Sequence, residues 1–216
     1  MSNSFTPLKN TPSSPIRTVK YAPILVLLLA FLFQSACGEQ GLDAADFRGT
    51  VLPTPIPAAD FTLQNAAGED VHLSDYEGQI VLLYFGYTFC PDICPTTLAE
   101  LAKVQSELDD VGEKIQVIMV TVDPERDTPE QLAQYVTHFH PDFVGLSGAK
   151  EAIDAAADTF GVYYQRNEGS EATGYLVDHT ARVFVVDPQG NYMLSFAYGT
   201  PVEDIVHDVK LLMRSL

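Results

Sequence analysis

Cys90 and Cys94 stand four positions apart in Tyr87-Thr88-Phe89-Cys90-Pro91-Asp92-Ile93-Cys94-Pro95, directly after the apolar run from Ile80 to Phe85. A continuous apolar run of that length is the pattern of a strand buried on both faces, so the two thiols are delivered together at a strand end. Each cysteine precedes a proline, which disfavours helical geometry at the cysteine and presets the proline's φ. The following helix is therefore expected to begin at Pro95, with both sulfurs in the loop ahead of its N-terminus. The partial positive charge there favours thiolate, the form that attacks disulfides and binds metal. Two thiolates so placed can converge on one ion, and soft sulfur ligands select copper(I), zinc or iron-sulfur clusters. A plain structural disulfide would close so short a loop that its entropic gain is small.

A metal needs at least one further ligand, and the chain holds five histidines. His72 falls in an alternating hairpin pattern, and His207 on the polar face of the last helix. His138 and His140 flank a helix end, where a partly cationic imidazole suits the dipole. They lie two apart with no cysteine nearby, which makes a poor second metal site. His179 differs, standing in Gly174-Tyr175-Leu176-Val177-Asp178-His179-Thr180 at the mouth of the penultimate strand. Without topology, a lone histidine there reads as structural; beside a cysteine loop it completes a Cys2His set.

The elements that position these residues follow from periodicity. Phe61-Thr62-Leu63 and Val71-His72-Leu73 flank Ala67-Gly68-Glu69, as in a small hairpin. Leu98, Leu101, Val104 and Leu108 repeat at helical spacing, predicting a helix from Pro95 to about Asp110. Ile115 to Val122 reads as a second buried strand, and Thr128-Pro129-Glu130 as the cap and start of a helix reaching about Phe139. A short strand at Phe143 to Leu146 and a helix from Ala149 to Phe160 come next, then Val162 to Gln165 and a polar loop, Arg166 to Gly174. Ala181 to Val186 and Tyr192 to Phe196 form a hairpin around Asp187-Pro188-Gln189-Gly190, and Pro201 to Arg214 a closing helix. This order predicts an α/β protein, a mixed central sheet flanked by helices with an added N-terminal hairpin. A strand leading into a cysteine loop and a helix makes it the thioredoxin-like case, in which the strand end at His179 lies beside Cys90 and Cys94.

The chain of 216 residues is one ordinary domain plus an appended terminus. Lys9, Arg17 and Lys20 precede Cys37 with no acid among them, so removing those three positive charges from a net −17 leaves −20 on the rest. That argues against nucleic acid or an anionic membrane surface as a partner. Basic residues, the apolar run Tyr21 to Phe33 and then Gln34-Ser35-Ala36-Cys37-Gly38 resemble a bacterial lipoprotein signal. The resemblance implies that Cys37 is lipidated and becomes the mature N-terminus, leaving Cys90 and Cys94 as the free pair. Gln34 departs from that pattern, so an uncleaved anchor is the alternative, although the run falls short of the ~20 apolar residues of a spanning helix. Either way the domain faces an oxidising, extracytoplasmic space. Residues 1–37 are thus expected to be the signal or anchor, 38–59, with Leu52-Pro53-Thr54-Pro55-Ile56-Pro57, a flexible tether, and 60–216 the folded domain.

Three separated motifs, Phe85 to Pro95, Val122-Asp123-Pro124-Glu125-Arg126-Asp127-Thr128-Pro129 and Asp178-His179-Thr180, together resemble the Sco (SenC) family of copper chaperones over roughly Pro57 to the C-terminus. The resemblance implies copper, Cu(I) or Cu(II), bound by Cys90, Cys94 and His179. It also implies that the partner is a copper-receiving subunit of cytochrome c oxidase, whose dinuclear copper site is metallated or kept reduced by a membrane-attached domain; another copper protein is the alternative recipient. The donor set agrees, since two thiolates and an imidazole offer copper(I) a soft trigonal site and make copper(II) tolerable. Asp178 is placed to orient a ligand or cap the strand end, and Asp123, Arg126 and Asp127 to form a loop ion pair leading to the Thr128 cap, with partner docking as their second reading. The reading from a different class is a thiol-disulfide oxidoreductase in which Cys90 attacks and Cys94 resolves; a peroxiredoxin-type peroxidase is a third. No proline lies between Gly161 and Asp187, where thioredoxins carry a substrate-binding cis-proline, which favours metal over peptide disulfides. The polar loop Arg166 to Gly174 is placed to cover the site, and a monomer is the default assembly.

Overall fold

The computed structural model describes residues 44–108, 114–168 and 174–214. The expected signal segment with Cys37 lies outside the described residues, as does the first part of the expected tether. Among the described residues no helix is long and apolar enough to cross a membrane. The chain order is β1 (Thr50–Pro57), β2 (Thr62–Gln64), β3 (Asp70–His72), β4 (Ile80–Gly86), α1 (Ile93–Glu107), β5 (Ile115–Thr121), α2 (Pro129–Thr137), β6 (Val144–Leu146), α3 (Lys150–Thr159), β7 (Tyr164–Glu168), β8 (Tyr175–His179), β9 (Arg182–Val186), β10 (Asn191–Ala197) and α4 (Val202–Arg214).

The central sheet is mixed, in the order β1-β10-β9-β4-β5-β6, with β4, β5 and β6 parallel and the other pairs antiparallel. β4 is buried along its whole length, as its unbroken apolar run requires. Each of its large side chains contributes ~1.5–3 kcal/mol by leaving water. The sheet order does the positioning. Gly86 at the end of β4 pairs with Thr121 at the end of β5, and Tyr84 with Val183 near the start of β9. The cysteine loop after β4, the Asp123–Asp127 loop after β5 and the His179-Thr180-Ala181 entry to β9 therefore meet at one end of the sheet. That is the end at which open parallel sheets bind ligands.

The α/β fold with its N-terminal hairpin (β2 and β3, register Leu63↔Val71) is the one expected from the pattern. The Thr128 cap is also present: its hydroxyl accepts from Gln131 N and its N–H donates to Gln131 Oε1, both at 3.3 Å. Three details differ from expectation. Thr50–Pro57, assigned above to the tether, is an edge strand paired with β10. Prolines at every second position read as linker, but an edge strand tolerates them because one side of it needs no N–H donors. Helix α1 starts at Ile93 and not at Pro95, so Cys94 lies within its first turn. Pro95 fits there because the first N–H groups of a helix have no intrahelical partner to lose. The polar segment from Tyr164 pairs with Tyr175–His179 as a separate two-stranded ribbon, where a loop was expected.

Candidate metal centre

Cys90, Cys94 and His179 converge: one ligand atom from each lies within 4.8 Å of the others. Cys94, fixed in the first turn of α1, is fully buried, whereas Cys90 in the preceding loop and His179 at the end of β8 are partly exposed. Cys94 Sγ lies 3.4 Å from His179 Nε2. The other ring nitrogen, Nδ1, faces the Thr180 carbonyl at 3.4 Å, which assigns the proton to Nδ1 and leaves the Nε2 lone pair aimed at the sulfurs. The Cys94 amide donates to Cys90 Sγ at 3.4 Å, so the outer sulfur sits on the N-terminus of α1 as the sequence implied.

The two thiols are unlike. The Cys94 thiol donates to Cys90, and that bond, helped by the amides of Asp92 and Cys94, pulls the Cys90 thiol well below its usual range. Donation to Cys90 and burial push Cys94 up. The pair thus shares one proton, held on the inner sulfur, with the outer one a thiolate.

Several residues that shape the site carry no obvious chemical signature in the sequence. The Tyr84 hydroxyl, at the buried end of β4, donates to Cys94 Sγ at 3.4 Å. The rings of Tyr84 and Tyr87 stand edge-on to His179, with centroids 6.0 and 5.9 Å away. Gly86 leaves room for the Cys94 sulfur. Strand alternation was the available signal, since Tyr84 and Gly86 share one face of β4 immediately ahead of the cysteines.

Asp127 departs from its expected part in a loop ion pair. Fully buried, it accepts from Thr88 N at 3.0 Å, from the Thr88 hydroxyl and from the Thr121 hydroxyl at 2.7 Å, and so ties the cysteine loop to the end of β5. The ion pair itself is Asp123–Arg126. Asp178 is exposed and bonded to Asn167, on the opposite face of β8 from His179, so it does not orient the imidazole. The other histidines have local partners: His72 with Thr62, His138 with Phe139, His140 with Asp142 and His207 with Asp208. Two sulfurs and one imidazole nitrogen, with one sulfur reachable from solvent, make a donor set suited to a soft monovalent metal and to exchange with an incoming thiol.

A family model described as SCO1/SenC matches residues 52–214. The human protein SCO1 homolog, mitochondrial, is 35% identical over 162 residues, 74% of this chain and 54% of the relative, so the chain spans about half of that relative's length. Apo Sco1 from Thermus thermophilus, solved in solution, is 45% identical with a TM-score of 0.70, covering 77% of this chain and 96% of that one. The crystal structure of Arabidopsis thaliana ScoI with copper bound is 32% identical with a TM-score of 0.69, covering 74% of this chain and 99% of that one.

Proposed function

The chain belongs to the SCO1/SenC family, and on that premise we propose that it is a membrane-tethered copper chaperone whose cargo is held by Cys90, Cys94 and His179. The observation that carries the reading is the convergence of two sulfurs and a correctly polarised imidazole at the end of the sheet where three loops meet. It is supported by copper in the Arabidopsis relative of the same fold. Copper is the substrate here. An incoming thiolate from the partner approaches at Cys90, the exposed sulfur, and takes over the ion by stepwise ligand exchange while buried Cys94 holds it last. The recipient is the dinuclear copper site of cytochrome c oxidase. Lipidation of Cys37 attaches the protein to the membrane on the extracytoplasmic side, with the segment ahead of β1 as tether. The domain works as a monomer.

A second reading is favoured by one observation, the unequal setting of the two sulfurs: Cys90 is partly exposed and accepts from the Cys94 amide at the helix N-terminus, whereas Cys94 is buried. The Cys90 thiolate attacks a partner disulfide and Cys94 then displaces the mixed disulfide, closing a Cys90–Cys94 disulfide; two electrons pass to the partner, which leaves with two thiols after taking the one proton of the pair and a second from water. This route does not need His179. Copper per chain, measured by mass spectrometry, and Cu(I) affinity, measured by competition with a chromogenic chelator, separate the two. The chaperone binds about one copper, and His179→Ala weakens it by at least roughly tenfold. Tight equimolar copper after His179→Ala would overturn the assignment.

A further inference from the structure

His179 is not carried by the main sheet. Among the described residues β8 pairs only with β7, in a ribbon of their own. The cysteines, by contrast, follow β4 and enter α1 at the centre of the fold. The distance from imidazole to sulfurs is therefore set by whatever holds the ribbon against the cysteine loop.

Alternation puts Tyr175, Val177 and His179 on one face of β8, and each is fastened to the body of the domain. The Val177 N–H donates to the Tyr87 hydroxyl at 3.3 Å. The Tyr175 hydroxyl donates to Asp123 Oδ1 at 2.6 Å, and the Tyr175 carbonyl accepts from Arg126 Nη1 at 3.0 Å. Arg126 Nε donates to Asp123 Oδ2, which closes a ring of three residues around a buried carboxylate. The Arg126 guanidinium carbon is 3.5 Å from the Tyr175 ring centroid and also lies over Phe89, next to Cys90, at 4.8 Å. Arg166 stacks on Tyr175 too, at 3.6 Å, and is itself held by Glu125. Arg126 is thus the one side chain of this ring that touches both halves of the site, the cysteine loop through Phe89 and the ribbon through Tyr175.

From this we infer that Tyr175 and Arg126 are positioning residues: they fasten the ribbon and fix where His179 stands relative to Cys90 and Cys94. His179 is then the detachable ligand, because the ribbon can move without breaking a pair of the main sheet. The inference rests on the copper reading above, and it assigns the Asp123–Arg126 motif to ligand placement.

The test uses the full chain carrying Cys37→Ser, so that no third thiol competes, and measures Cu(I) affinity in Tyr175→Leu, Tyr175→Phe, Arg126→Lys, His179→Ala and the double variant Tyr175→Leu/His179→Ala. Tyr175→Leu removes the stack and the hydroxyl yet leaves the Asp123–Arg126 pair intact. It is expected to weaken copper about tenfold. Tyr175→Phe, which keeps the stack, recovers most of the loss, and Arg126→Lys behaves as Tyr175→Leu. The double variant binds as His179→Ala does, within about twofold, because the fastener acts through the imidazole. In the Cu(II) form, nitrogen hyperfine coupling in the electron paramagnetic resonance spectrum weakens in Tyr175→Leu. Wild-type affinity in both Tyr175→Leu and Arg126→Lys, with His179→Ala impaired, overturns the inference alone; so does a Tyr175→Leu loss that adds in full to that of His179→Ala. Wild-type affinity in His179→Ala overturns the copper reading and the inference with it.

Discussion

Gly86 and Cys94 are in contact through the space that a side chain on Gly86 would fill. A Cβ at Gly86 would stand 3.0 Å from Cys94 Sγ, 2.7 Å from the Tyr84 ring and 3.1 Å from Met119 Cε. The methionine methyl can give way; a fully buried tyrosine ring on the central strand and a sulfur set in the first turn of a helix cannot do so without moving the helix. Gly86→Ala is expected to cost about 1–3 kcal/mol of stability, as overpacking does, and to weaken copper by displacing the inner sulfur. Urea unfolding and Cu(I) competition on the same preparation check both, and an unchanged midpoint with unchanged affinity would show that α1 yields freely.

The Tyr84 hydroxyl gives a prediction about redox poise. It donates to Cys94 Sγ inside the core, and a donor bond favours a reduced sulfur over a disulfide one. Tyr84→Phe removes only that bond, worth about 0.5–1.5 kcal/mol. The midpoint of the Cys90/Cys94 couple in a glutathione titration should therefore become more negative by about 10–30 mV. A shift to less negative values would mean that the hydroxyl serves the disulfide form.

Asp127 should show itself in the pH dependence of stability. Burial is the largest influence on its carboxyl and raises its pKa above the ordinary value, against the three donors and with help from nearby Asp123. A carboxyl raised in the folded state is the more protonated there, so its contribution favours folding at low pH and is lost as pH rises through the raised value. The stability difference between wild type and Asp127→Asn should therefore move in favour of wild type as pH falls from neutral into that range. Asp127→Ala is harsher at any pH, since it strands the Thr88 N–H and two hydroxyls, at about 2–3 kcal/mol. Denaturant midpoints taken at several pH values test the direction.

Much of this site was legible in the chain. Cys90, Cys94 and His179 stood out by residue type, and a buried strand running into a cysteine loop supplied the topology that joins them. What stayed hidden has physical reasons. Gly86 and Tyr84 act through space and a single hydroxyl, which neither spacing nor composition registers. The ribbon partner of β8 is polar, with Gln165, Arg166 and Glu168 exposed, so hydrophobic alternation gave no strand signal. Asp127 looked like its neighbours Asp123 and Glu125 because one dimension does not say which acid of a loop turns inward. Asp178, adjacent to His179, looked like its orienting carboxylate, whereas successive strand residues face opposite ways.

The boundary of the folded domain yields the last prediction. Asp208 on α4 is fully buried, and its carboxylate accepts from the N–H groups of Arg48 and Gly49, at 3.0 and 2.8 Å, just ahead of β1. Arg48 adds an ion pair to Asp204, and Gly49 lies so close to Phe196 that a Cβ there would meet the ring at 2.7 Å. A fragment cut at Ala58 loses β1 and both amide donors, uncovers the edge of β10 and leaves His207 as the side-chain partner of Asp208 among the described residues. Breaking one side of a buried charged contact typically costs about 3–5 kcal/mol. The fragment 58–216 should thus unfold at a clearly lower urea concentration than 44–216, while Asp208→Asn in the longer fragment recovers part of that loss in stability. Copper stoichiometry should remain the same in whatever fraction of the short fragment is folded, because the cut is remote from the cysteine loop along the sheet. Equal urea midpoints for the two fragments would return Thr50–Pro57 to the tether.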